Sequence, residues 1–153
     1  MLFRSADKAG LAIGSICACM GPGRDFRGTP EEQATGMAYC KALVDQAAIM
    51  GCPRLIGPIY SVVGKADAVE PAQQKVEFQL VVKNLKELAK YAAAKGITLC
   101  IEPLNRFETD FLNTTDKGLA LIKAVGAKNV VLHLDTFHMN IEEKNQAAAI
   151  IKA

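Results

Sequence analysis

The sequence predicts an α/β fold, a parallel sheet built from four consecutive strand–helix units. Three observations predict it. Four short apolar runs alternate with longer segments whose apolar residues recur at helical spacing. Prolines, glycines and short polar residues punctuate the joins where helices should start and stop. Two of the apolar runs end in an acid, Glu102 and Asp135, at the strand end where parallel α/β folds carry their chemistry.

Residues 1–10 carry no strong periodicity. Residues 11–17 read as a first buried strand, and 21–28, with Pro22 and the charged Arg24, Asp25 and Arg27, as the loop after it. Thr29-Pro30-Glu31-Glu32 starts a helix: Thr29 caps, Pro30 takes the first position, where no N–H is needed, and Glu32 reaches back to the cap. Met37, Cys40, Leu43, Val44 and Ala47 form its inner face and Gly51 stops it. Residues 54–60 form the second strand and 61–70 a loop. Pro71 opens a long helix with Val76, Leu80, Val81, Leu85, Leu88 and Ala92 inward, ended by Gly96. The third strand is 97–102, followed by a loop to about residue 113. Thr114 or Thr115 caps a helix with Leu119, Ile122 and Val125 inward, ended by Gly126. The fourth strand is 130–135. Asn140, with Glu143 as its capping-box partner, starts a last helix over 141–153.

This alternation implies a parallel sheet with right-handed crossovers. A doubly wound sheet of four or five strands fits the length. So does half of a (β/α)8 barrel, which needs ~250 residues when complete. Periodicity leaves both open. No Gly-x-Gly-x-x-Gly follows the first strand, so dinucleotide binding has no support.

Composition narrows the function classes. At 153 residues the chain is one domain by size, with room for a real core. A net charge of +2, with Lys and Arg scattered, gives no nucleic-acid footprint. No apolar run reaches the ~18 residues of a membrane span, and no secretory signal is visible. The five cysteines (Cys17, Cys19, Cys40, Cys52, Cys100) are odd in number and fall mostly in apolar runs, so they read as buried reduced thiols of a cytoplasmic protein. Cys17 and Cys19 lack the two-residue spacer of a zinc or redox pair.

Glu102 ends an apolar strand just before Pro103. An ionised carboxylate there is costly unless it is paired or binds a cation. The structural alternative is an exposed strand end or an ion pair to Arg106. Asp135 follows the same logic, its alternative being a cap for the turn through Thr136 and Phe137. Hard carboxylate oxygens suit Mg²⁺ or Mn²⁺, and an imidazole beside them shifts the choice toward Mn²⁺ or Co²⁺. His138, just past the strand, is placed to donate to a substrate hydroxyl or to ligate a metal. His133 lies two residues before Asp135, on the same face, and reads as a satisfied core residue. Glu108, taken by itself, reads as a solvated loop side chain.

The segment Ile101-Glu102-Pro103-Leu104-Asn105-Arg106-Phe107-Glu108, with Leu112-Asn113, and the segment from Leu134-Asp135-Thr136-Phe137-His138-Met139-Asn140 to Glu143, together resemble the ketose 3-epimerases of D-tagatose, D-psicose and L-ribulose. These belong to the xylose-isomerase-like sugar isomerase/epimerase superfamily. The Gly21–Glu32 stretch is similar to that family as well, so the resemblance covers nearly the whole chain. It implies a partial (β/α)8 TIM barrel of four consecutive β/α units, similar to strands three to six. On that view residues 1–153 are a single incomplete barrel domain without the first two and last two strands. It implies a Mn²⁺ (or Co²⁺ or Mg²⁺) cofactor, with Glu102 and Asp135 as metal ligands, Glu102 also as acid/base, and Glu108 and His138 as sugar contacts. The family's remaining metal His and second metal Glu lie on later strands. The implied reaction is epimerisation of a free ketohexose or ketopentose at C3, through an enediolate stabilised by the metal. The chain alone is expected to be inactive. The implied partner is a small ketose, with no nucleic acid and no membrane, and the full-length form is expected to be a homo-oligomer. Two other readings remain. One is another barrel enzyme of the superfamily, such as a hydroxypyruvate or sugar-phosphate isomerase or an AP endonuclease. The other is a non-catalytic α/β domain that binds a small molecule.

Overall fold

The computed structural model describes residues 2–153, with side-chain surroundings from Ser5 onward. The elements run α1 (Leu2–Lys8), β1 (Ile16–Cys17), α2 (Pro30–Ile49), β2 (Arg54–Gly57), α3 (Pro71–Ala93), β3 (Thr98–Ile101), α4 (Thr115–Val125), β4 (Val130–Leu132), α5 (Thr136–Glu142) and α6 (Gln146–Lys152). All four strands are parallel and lie in the order β1-β2-β3-β4. A doubly wound sheet reverses its strand order at a switch point. This sheet runs strictly in chain order, as barrel strands do, and the architecture is a partial (β/α)8 barrel.

Register decides which side chains share a face. Leu55, Leu99 and Val130 align across β2, β3 and β4 and are buried on the helix side. The next row, Cys17, Ile56, Cys100 and Val131, points the other way, into what is the interior of a barrel, and Val131 there is 40% exposed. Side chains alternate along a strand, so Glu102 follows Cys100 on the inner face, and His133 and Asp135 follow Val131. The core lies on the opposite side, where Val44 of α2 and Leu85 and Leu88 of α3 are fully buried with Leu55 and Leu99. Each such side chain contributes about 1.5–3 kcal/mol by leaving water.

The capping box at α2 forms as the sequence implies: Glu32 N–H donates to Thr29 Oγ1, and Thr29 N–H to the Glu32 carboxylate. Other expectations are corrected. Residues 2–8 are helical despite weak periodicity; Met1 lies outside the described residues. β1 pairs only at Ile16 and Cys17, because it is an edge strand whose partner β2 is itself short, and Leu11 is exposed. β2 stops at Gly57, before Pro58, which has no N–H to give a ladder. Its continuation through Ile59 and Tyr60 stays buried. On α3, Val76 is exposed and Glu77 takes the inward position, because it meets the buried Arg27. On α4 the inward positions are Thr115, Gly118, Leu121 and Val125, with Leu119 and Ile122 only partly covered. Gly118 lets α4 sit close to β4: an added Cβ would lie 2.6 Å from a Leu132 methyl, which would have to turn aside.

The last helix is two helices. Asp135 accepts from Phe137 N–H (2.7 Å) and starts α5 well before Asn140, which lies inside that helix. Glu143 does not complete a capping box; its carboxylate takes Thr115 N–H instead (2.7 Å), and the chain breaks there. Asn145 then caps α6. Among the described residues no helix is long and apolar enough to cross a membrane.

Gly57, the last residue of β2, sits against Ala18 just past β1, at φ +121°, and an added Cβ would run into the Ala18 carbonyl oxygen. Gly57→Ala should therefore destabilise the chain by about 2–4 kcal/mol in urea unfolding, combining backbone strain with a clash against backbone that cannot yield. A loss below about 0.5 kcal/mol would show that the approach of β1 to β2 is looser than described.

Candidate active site

Parallel pairing carries one residue past β3: Glu102 N–H donates to Gly57 O (3.1 Å). From the other side the fully buried Tyr60 hydroxyl donates to Glu102 O (3.0 Å). The Glu102 backbone is thus held twice, and its side chain, on the inner face, is nearly covered, the residue being 8% exposed. Burial pushes the carboxyl above its usual range, with Asp135 and Glu108 adding to the rise, while His133 and His138 partly oppose it. The His133 ring stands beside it, with Nε2 3.6 Å from Oε1. His133 is not a core residue; about a third of its side chain is exposed on the open inner face. Arg106, the alternative partner of Glu102, pairs with Glu142 through Nε (2.8 Å) and Nη2 (3.1 Å).

Asp135 does two things. Oδ1 accepts Phe137 N–H and starts α5, as the capping alternative held. Oδ2 remains available to the site. His138 is on the first turn of α5 and is buried. Its Nδ1 lies 3.1 Å from Asn105 N–H, a group that can only donate. Nδ1 therefore carries the lone pair, and the neutral ring holds its proton on Nε2. Ligation of a metal through Nε2 would require the proton on Nδ1, where the Asn105 N–H already points. The ring as held by Asn105 therefore offers Nε2–H as a donor.

Asn105 ties the pieces together. Its Nδ2 is 2.8 Å from Glu108 Oε1 and 2.9 Å from His138 Nδ1. Glu108 is accordingly half-buried and oriented, not a solvated loop side chain. Sequence reasoning missed Asn105 and Tyr60. The signal for Asn105 was a short amide three residues before Glu108, on a loop that needed an internal partner; for Tyr60 it was a phenol closing an apolar run.

Glu102, Asp135 and His138 each present an atom within 4.8 Å of the others. The residues fit a divalent ion: one buried carboxylate that a cation would relieve, and one acid with an oxygen to spare, both hard donors.

Residues 2–153 match the family model described as xylose isomerase-like TIM barrel. L-ribulose 3-epimerase from Methylomonas sp. (strain DH-1) is 38% identical over 124 residues, 81% of this chain and 42% of that protein. D-psicose 3-epimerase from Agrobacterium fabrum is 35% identical over 138 residues, 88% of this chain and 47% of that protein. The solved structure of D-allulose 3-epimerase from Methylomonas sp. in complex with D-allulose superposes with a TM-score of 0.91 at 32% identity, covering 99% of this chain and 51% of that one. The chain spans about half the length of these relatives. Parallel strands in chain order, two acids converging at their carboxyl ends and a family match over residues 2–153 agree: the chain belongs to the xylose isomerase-like TIM barrel family.

Proposed function

We propose that this chain is part of a ketose 3-epimerase and supplies half of its active site. The observation that carries the reading is the convergence of Glu102 and Asp135 on one spot of the inner face, with His138 beside them. The names of the relatives, L-ribulose and D-psicose 3-epimerase, supply the reaction. The four units correspond to barrel strands three to six. Glu102 and Asp135 would hold Mn²⁺, with Co²⁺ or Mg²⁺ as substitutes. The ion, when bound, offsets the negative charge that develops on neighbouring oxygens of an open-chain ketose as its C3 proton leaves.

The chain's own residues do the rest. Glu102 takes the C3 proton: burial raises the affinity of its carboxylate for a proton, which suits a base working near neutral pH. His138 donates from Nε2 to a substrate oxygen near the carbonyl, its direction fixed by Asn105 behind it. Glu108, held by Asn105, accepts from a hydroxyl. Returning the proton to the opposite face needs a second acid, which the resemblance assigns to a later strand. Five unpaired cysteines fit a cytoplasmic setting.

The reading makes three measurable demands. Mn²⁺ titrated into the 153-residue chain should bind weakly, and Glu102→Ala or Asp135→Ala should weaken it by roughly 10-fold or more; indifference to both substitutions would leave the acids structural. Incubation of the chain alone with Mn²⁺ and D-fructose should give no C3 epimer, since two ligands and the second acid are lacking; turnover would contradict the assignment of roles. The third demand concerns pH. The folded chain binds the Glu102 proton more tightly than the unfolded chain, whose ordinary value is 4.5. The ionised carboxylate therefore costs stability above the folded-state pKa, and the cost vanishes in acid. Glu102→Gln should raise the melting temperature near pH 7 and leave it unchanged below about pH 4. A gain independent of pH would place the effect elsewhere.

A further inference from the structure

We propose that Arg27, which makes no hydrogen bond to the converging acids, is a positioning residue that holds the β3–α4 loop in the setting that presents Asn105 and Glu108 to His138. The proposal rests on the epimerase reading only for the purpose of that setting.

The Arg27 side chain is fully buried. Its Nη1 donates to Asp110 Oδ1 (2.7 Å) and lies 3.3 Å from Glu77 Oε2; its Nη2 donates to Lys65 O (3.4 Å). The guanidinium carbon stands 5.1 Å from the Phe111 ring centre. Arg27 N–H donates to Asp25 Oδ1 (2.9 Å), and the other oxygen of Asp25 accepts from Lys65 Nζ (3.1 Å). One side chain thus joins the loops after β1, β2 and β3 to α3. Backbone bonds complete the tie: Gly64 N–H donates to Glu108 O (2.8 Å) and Asp110 N–H to Lys65 O (3.2 Å). From Asp110 a tight turn leads back to the site, with the N–H groups of Glu108 and Thr109 both on Asn105 O (3.1 and 3.2 Å). Asn105 N–H then meets His138. The path from Arg27 to the imidazole is continuous.

Stability does not explain this arrangement. Desolvating three charges offsets most of their attraction, and apolar residues of similar volume serve as well or better. The cost here is raised further, because Arg27 Nε and Glu77 Oε2 are buried without a hydrogen-bond partner. Nor does packing alone fix the loop, since a 190 Å³ cavity lies against Asp110, Phe111 and Leu112 on the side of α3 and α4. What the ion pairs supply is a single geometry.

The chain has only two histidines, so both imidazoles can be followed by long-range ¹H–¹⁵N correlation, with His133→Gln assigning them. In the unsubstituted chain His138 should show the Nε2–H form alone, and Asn105 N–H should exchange slowly. The combined variant Arg27→Met, Glu77→Leu, Asp110→Leu should melt at or above the temperature of the parent. Its Asn105 amide should exchange at least about tenfold faster and its His138 ring should become a mixture of tautomers, while the Leu99 amide in the sheet stays protected. Unchanged Asn105 exchange and an unchanged His138 ring overturn the proposal, whatever happens to the melting temperature. Should the combined variant fail to fold, Arg27→Lys keeps the charge and loses the fork; it should show the same local pattern in smaller degree, and absence of that pattern also overturns the proposal. None of these signals depends on turnover or on Mn²⁺ binding, so failure of the epimerase reading would be seen separately.

Discussion

The rest of the structure depends on one carboxylate kept out of water. Parallel pairing extends one residue beyond β3, and the strand's alternation turns Glu102 to the inner face, where burial disfavours its charge. A protein that only needed to fold would place an apolar residue there, as it does at Cys100 one step below. Everything around Glu102 keeps it in place without neutralising it. Tyr60 takes its carbonyl, Gly57 takes its N–H, and His133 stays at 3.6 Å. Burial outweighs the nearby imidazoles and favours the protonated form of this carboxyl.

The second shared constraint is orientation of the imidazole. A histidine at a helix start is free to offer either nitrogen, and the choice decides whether it ligates or donates. Here a backbone N–H makes the choice, and a backbone N–H cannot be reversed. The same asparagine that provides it also fixes Glu108, so the imidazole and the Glu108 carboxylate are referred to one point on the loop.

What was legible in the sequence was local. The Thr29 capping box, the glycine stops at Gly51, Gly96 and Gly126, and the acid directly after β3 are short-range signals that the structure honours, whereas β4 ends at Leu132 and Asp135 follows three residues later as a helix cap. What was not legible involved partners distant in the chain. The helical spacing of apolar residues puts Val76 inward, yet Glu77 is the buried one, since Arg27 waits 50 positions earlier. Asn140 and Glu143 carried a helix-start pattern, but Asp135 had already started the helix and Thr115 N–H captured Glu143. The open choice between a doubly wound sheet and a barrel was likewise beyond periodicity, because strand order is a property of pairing alone.

Asp135 shows how narrow the choice of residue becomes when one side chain has two employers. Asparagine would preserve the start of α5 and forfeit the negative charge. Glutamate would preserve the charge, but its longer stem is poor at reaching an N–H two residues on. Only aspartate satisfies both the helix and the inner face, so tolerance to replacement at this position should be lower than either role would impose by itself.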